Sequence, residues 1–215
     1  MSAFLGPIHH WLFNKISHME DRAFHIASIL ENNGKAEIAK NKVEEYGPRL
    51  AGADLAELVG DASIHQFMYS LISKVEVFEA GLVEAAGDNY ETVKKGVEEH
   101  GKMSAQEAVN RQGEKPEDLE SLYKYINDSQ LEGMPCDPGA MVEQLDDGRL
   151  AYRHTACNHI QNWEYTNCPS SKMCGIHNAW LKGFVSGLND SAEYSVEQTI
   201  ADGAQTCSAL ITLSK

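Results

Sequence analysis

The chain has 215 residues, enough for one sizeable domain or two small ones, and its 42% hydrophobic and 23% charged residues exclude a wholly disordered protein. A formal net charge of −14 argues against nucleic acid or an anionic membrane surface as partner, because both need a basic face that releases counterions. No apolar run of about 18 residues occurs, residues 1–11 do not read as a signal peptide, and an odd number of cysteines, five, points to reduced thiols in a cytoplasm rather than a secreted disulfide framework.

The first part of the chain reads as helices. Apolar residues recur at helical spacing from Gly6 to Glu31 (Ile8, Trp11, Leu12, Ile16, Met19, Phe24, Ile29), with Pro7 suited to a first turn and Asn33-Gly34 to an end. A second helix spans Lys35 to Tyr46 and is stopped by Gly47-Pro48. A third, long and amphipathic, covers about Ala62 to Ala86 with Phe67, Leu71, Val75, Phe78 and Leu82 on one stripe. A more polar helix follows from Tyr90 to about Arg111. Another starts near Pro116, where Glu117, Asp118 and Glu120 suit the positive end of a helix dipole.

The texture changes after Gly133. Residues 134–139 form a loop. Met141 to Leu145 and Arg149 to Cys157 then flank Asp147-Gly148, a hairpin turn pair. A second hairpin is expected near the end, with Tyr194, Val196, Gln198 and Ile200 alternating on one strand and Cys207, Ala209, Ile211 and Leu213 on the next. Between the hairpins an amphipathic helix carries Met173, His177, Trp180, Phe184 and Leu188 on one stripe. The expected fold is α+β: a helical part, 1–133, followed by a small α+β part, 134–215, with antiparallel hairpins and one central amphipathic helix, whether packed separately or as one continuous domain. The apolar stripe of the 62–86 helix leads us to expect a homodimer, since a small second part would not cover it.

The chemistry concentrates between His154 and Cys207. His154, Cys157, His159, Cys168, Cys174, His177 and Cys207 are residue types that ligate zinc. Within that set Cys157, His159 and Cys168 are candidate ligands for a divalent metal, although the paired Cys-x-x-Cys spacing of structural zinc sites is missing. The alternative is a thiol nucleophile. Cys174 stands near a helix start with His177 one turn on, a setting in which a histidine can draw off the thiol proton, and Asp202 is placed to orient a base or accept a substrate amine. Set against both readings, cysteine is often simply a small buried hydrophobe.

The segment from Cys157 to Cys207 also resembles the family of L-2-amino-thiazoline-4-carboxylate hydrolases. The resemblance lies in Cys157, in the helix-opening Met173-Cys174-Gly175-Ile176-His177, and in the closing Thr199-Ile200-Ala201-Asp202-Gly203-Ala204-Gln205-Thr206-Cys207. Where that family carries an acidic residue three places after the helix cysteine, this chain has His177. The resemblance implies hydrolysis of a C–N bond in a small cyclic or amidine-like molecule by addition of water at carbon, with Cys174 and Cys207 as site thiols. A related vinyl-reductase-type domain has a similar glycine-to-cysteine ending and binds small molecules without catalysis, which implies a sensor as the alternative.

A second constellation, His9, His10, His18, Glu20, Asp21 and His25, lies on the first helix. His18 and His25 are seven apart and share a face, as a metal or haem ligand pair in a bundle would. The 62–86 helix, however, offers only His65, Glu76 and Glu79 as counterparts. Phosphate-loop, dinucleotide and serine-elbow motifs are absent. The sequence thus predicts a small-molecule hydrolase with Cys174, His177, Asp202 and Cys207 as catalytic residues and His10, Trp11, Trp180 and Thr199 lining the substrate pocket. The competing reading is a non-catalytic protein binding a metal, haem or small ligand through the same cluster.

Overall fold

The computed structural model describes residues 5–146 and 148–214. Asp147 of the expected hairpin turn lies outside them. The N-terminal half is helical: α1 (Pro7–Leu30), α2 (Ala36–Tyr46), α3 (Leu55–Val59), α4 (Ile64–Ala86), α5 (Tyr90–Gln112) and α6 (Leu119–Ser129). Pro7 occupies the first turn of α1, and the backbone N–H of Gly6 donates to Nδ1 of His9 at 3.0 Å. The chain breaks after α1 at Asn33 and Gly34, where Gly34 takes φ +80°, a conformation that costs glycine little. α6 begins at Leu119 rather than near Pro116. Asp118 caps it, its carboxylate accepting from the backbone N–H of Ser121.

The C-terminal part holds β1 (Met141–Asp146), β2 (Arg149–His154), α7 (Ile160–Glu164), α8 (Ser170–Leu188), β3 (Ala192–Gln198) and β4 (Cys207–Leu213). The four strands form one antiparallel sheet in the order β1-β2-β4-β3. β2 stops at His154, short of Cys157. β3 stops at Gln198, where Thr199 leads into a single 3-10 turn, Ile200–Asp202, closed by Gly203. The short helices α3 and α7 were not expected. Each is only five residues long, too short to show a hydrophobic period.

One core runs across the 133/134 boundary. Leu150, Tyr152, Tyr194, Ala209 and Ile211 of the sheet share a core with α8, whose other side meets α5, α6 and α4. α5 and α8 cross with their backbones nearly touching. A Cβ on Gly183 would stand 1.9 Å from the Glu98 carbonyl oxygen, and one on Gly101 would stand 2.3 Å from that of Trp180. A smaller core joins Leu12, Phe13, Ile16 and Met19 of α1 to Leu55 and Val59 of α3 and to Met68, Leu71, Ile72 and Val75 of α4. Leu71, Val75, Phe78 and Leu82 are therefore buried within the chain. That removes the reason for expecting a dimer through the α4 stripe. Among the described residues, no helix is long and apolar enough to cross a membrane.

Candidate functional site

α8 presents Cys174, His177, Asn178 and Leu181 at one-turn spacings along a single face, and that face closes a cavity at the end of the sheet. β2 and β4 supply the opposite wall. His154 and Cys207 are directly paired across the two strands and so point to the same side. The loop into α7 adds Cys157, His159 and Trp163, and the chain after α6 adds Gln130 and Glu132. The cavity is about 70 Å³, space for several waters or a small ligand and far less than a porphyrin fills.

Three thiols, Cys157, Cys174 and Cys207, converge here, and the field of Cys207 reaches both of the others. Burial pushes the Cys174 thiol up to about 12, with the fields of Cys157, Cys207 and Asp202 adding to it. Burial likewise raises Cys157, against the lowering effect of hydrogen bonding from the backbone N–H groups of His159 and Ile160. Cys207 differs in its surroundings: the backbone N–H of Ile200 donates to its sulfur at 3.3 Å. Asp202 stands behind this turn, accepting from the Thr199 hydroxyl at 2.7 Å, while Thr199 in turn accepts from the backbone N–H of Asp202.

Two carboxylate–imidazole pairs flank the thiols. Glu76, fully buried on α4, accepts from Nδ1 of His159 at 2.7 Å and from Asn162 at 2.6 Å. Burial alone would depress His159, but the charge and hydrogen bond of Glu76 outweigh it and raise its pKa, so the ring holds its proton more firmly than a free histidine. The ring stacks on Trp163 at a centroid distance of 5.2 Å. In the second pair Glu132 accepts from Nε2 of His154 at 3.1 Å and from the Tyr152 hydroxyl. Burial pushes the Glu132 carboxyl up, yet these hydrogen bonds and charges, with that of Lys15, prevail and keep it ionised. Glu132 was not expected at the site; the sequence marks His154 only as a zinc-ligating residue type and Glu76 only as a counterpart to the α1 histidines.

His177 shares the cavity with Cys174, but no hydrogen bond joins them. Its Nε2 accepts instead from the Gln130 amide at 2.9 Å. Burial first, then the charges of Arg22, His159 and His154, hold His177 well below its usual range and therefore neutral. Two buried polar atoms of lining residues have no partner: Oε1 of Gln130 and Nε1 of Trp163.

Four expected site residues are elsewhere. His10 is exposed on α1, and Trp11 donates from Nε1 to Asp128 at 3.0 Å on the far side of α6. Both lie too early on α1 to reach the sheet. Trp180 turns away from the cavity, stacked on Phe184 at 4.6 Å. Cys168 is buried, its pKa raised to about 11 by burial, and its electrostatic neighbours are Lys172, Glu84 and Glu79 rather than Cys157 or His159. The proposed Cys157/His159/Cys168 ligand set is thus not assembled, and among the described residues no group of three or more His, Cys, Asp or Glu side chains is placed to hold a metal ion. His18 and His25 face a surface groove shared with His100 of α5. The His25 and His100 rings lie 4.8 Å apart, and His18 contacts Arg111.

No curated protein matches. Among solved structures, an H-NOX protein from S. oneidensis in the Fe(II)NO ligation state is 14% identical over 90% of this chain and 98% of its own, with a TM-score of 0.44. Fe(II) unliganded H-NOX protein from K. algicida is 13% identical over 91% and 96%, with a TM-score of 0.30. Likeness at that level assigns neither fold nor ligand. The model of the L-2-amino-thiazoline-4-carboxylic acid hydrolase family, by contrast, matches residues 78–210, which takes in the C-terminal end of α4, all of α5 to β3 and the first half of β4. Covering more than half of the chain and enclosing the three converging thiols, that match shows that the chain belongs to the L-2-amino-thiazoline-4-carboxylic acid hydrolase family.

Proposed function

We propose that the protein is a small-molecule hydrolase that cleaves a C–N bond of a cyclic or amidine-like substrate in the cavity between α8 and the β2–β4 end of the sheet. The observation that carries this reading is the line Cys207, His154, Glu132: a thiol, an imidazole on the facing strand, and a half-buried carboxylate hydrogen-bonded to that imidazole. Nε2–H of His154 donates to Glu132, which leaves Nδ1 free to take the Cys207 proton, and the Ile200 N–H steadies the sulfur that results. The sulfur then adds to the amidine carbon and the C=N electrons move onto nitrogen. The C–N bond breaks as the departing nitrogen takes up a proton, for which His159, held protonated by Glu76, is the donor in this scheme. Water added at the same carbon releases sulfur and leaves a carbonyl. One water is consumed and one C–N bond lost. Cys174, its thiol kept protonated, is a hydrogen-bond donor rather than the attacking group, and the neutral His177 fixes Gln130.

The test is turnover of 2-aminothiazoline, followed by mass spectrometry of the intact protein. Cys207→Ala and His154→Asn are expected to lower kcat by two or more orders of magnitude, and a covalent adduct is expected on Cys207 at short times. Full activity in Cys207→Ala would remove the nucleophile. A second reading, ligand binding without turnover, is favoured by the raised pKa values of Cys157 and Cys174, and it predicts saturable binding with no product.

A further inference from the structure

Among the described residues that line the cavity there is no lysine and no arginine. The cations whose fields reach the cavity wall, Arg22 and Lys15, lie outside its lining and have partners of their own. Arg22 makes a bidentate pair with the buried Glu79, at 2.5 and 2.8 Å. Lys15 lies on α1 with its ammonium 3.9 Å from the centre of the Trp11 ring. The two histidines that face carboxylates are taken up by them, His159 by Glu76 and His154 by Glu132. The carboxylate in the wall, Glu132, is itself held by His154, by the Tyr152 hydroxyl and by the field of Lys15. The rest of the lining is rich in aromatic faces, with Tyr152, Trp163 and Tyr194 contributing rings. The buried Oε1 of Gln130 is an acceptor with nothing to accept from.

A carboxylate brought into such a space loses its water and meets no opposite charge, so its desolvation goes uncompensated. An amidinium or a neutral amidine meets the reverse. Its flat delocalised face stacks on rings that favour cations, and its N–H groups supply what Gln130 Oε1 lacks. We infer that this chain, although it belongs to a family named for a carboxylic acid substrate, selects small neutral or cationic amidine-type molecules without a carboxylate. The inference rests on the reading of this cavity as the substrate site.

Two probes that differ only in that group decide the point: 2-aminothiazoline and 2-aminothiazoline-4-carboxylate, each titrated calorimetrically into the full chain at neutral pH and then assayed for turnover. The unsubstituted ring is expected to bind at least ten-fold more tightly. Gln198→Arg, which adds a guanidinium at an exposed position on the cavity rim, is expected to narrow or reverse that ratio. Equal or tighter binding of the carboxylate by the unmodified protein overturns the inference, as does failure of both probes to bind at millimolar concentration. Preferential binding of the unsubstituted ring with no turnover of either probe leaves this selectivity standing and removes the hydrolytic function instead. The comparison does not depend on the variant folding, because the two probes are first ranked on the unmodified chain.

Discussion

The five thiols make the environment of single residues measurable. Cys136 is exposed, whereas Cys168 is buried and Cys174 partly so, with thiols raised to about 11 and about 12. Because the thiolate is the species that alkylates, each unit by which a pKa rises above neutrality removes a factor of about ten in reactive fraction. Labelling the native protein with iodoacetamide at pH 7.5 should modify Cys136 first and leave Cys168 and Cys174 at least ~100-fold slower, as read by peptide mass spectrometry. Rapid labelling of Cys174 would show that its pocket does not suppress ionisation. The contrast also marks what the sequence could disclose. Cys174 and His177 are three apart on a helix and were visible as a pair, but their spacing carries no information on which partner each ring or sulfur selects. Glu132 reaches His154 across 22 residues and Glu76 reaches His159 across 83. No local pattern encodes such contacts, and Glu132 sits in a segment whose glycine and prolines read only as loop.

At the scale of elements, the site depends on how closely α8 can lie against α5. Gly183 lets the Glu98 carbonyl approach to where a methyl group would be, so Gly183→Ala forces the helices apart. Overpacking of this kind costs about 1–3 kcal/mol or more, which exceeds the roughly 1 kcal/mol that alanine gains over glycine in a helix. Gly81 on α4 is the internal control. Its added Cβ would meet only the Lys42 side chain, at 3.6 Å. Gly183→Ala is therefore expected to lower the urea midpoint, while Gly81→Ala leaves it unchanged or raises it by an amount worth up to ~1 kcal/mol. Similar losses in both variants would contradict the backbone contact. The long helices and both hairpins were legible because their hydrophobic periods persist over several turns or alternations, and the first two helices are closed by Gly34 and Gly47, each at positive φ. The glycine crossing was not legible. Gly101, Gly183 and Gly187 have no side chain to contribute to a period, and their importance appears only when the facing backbone is known.

For the molecule as a whole, the decisive quantity is how its histidines respond to acid. Burial, followed by repulsion from His25, Arg22 and His18, lowers His100 to about 3. Burial and Arg111 lower His18 to about 4. Burial lowers His25, against a hydrogen bond with the Gly96 backbone, and burial also lowers His177. In the unfolded chain each returns to about 6.5. A histidine lowered in the folded state contributes stability that is present above pH 6.5 and is lost as pH falls toward its folded value, because the unfolded chain takes up a proton that the folded chain refuses. His159, raised by Glu76, has the opposite sign: its contribution is present below pH 6.5 and is lost as pH rises. Four lowered groups against one raised group leave a net proton uptake on unfolding between about pH 6.5 and 5. The opposing effect is relief of the −14 net charge, which begins only when carboxylates titrate near pH 4. The histidines therefore dominate the window above it. Urea denaturation at pH 7 and pH 5 should show the midpoint falling on acidification, and His100→Gln should flatten that fall. A midpoint that is constant or rises between those pH values would mean that the α1–α5 groove and the His177 wall admit charged imidazoles, and the electrostatic account of both would be lost.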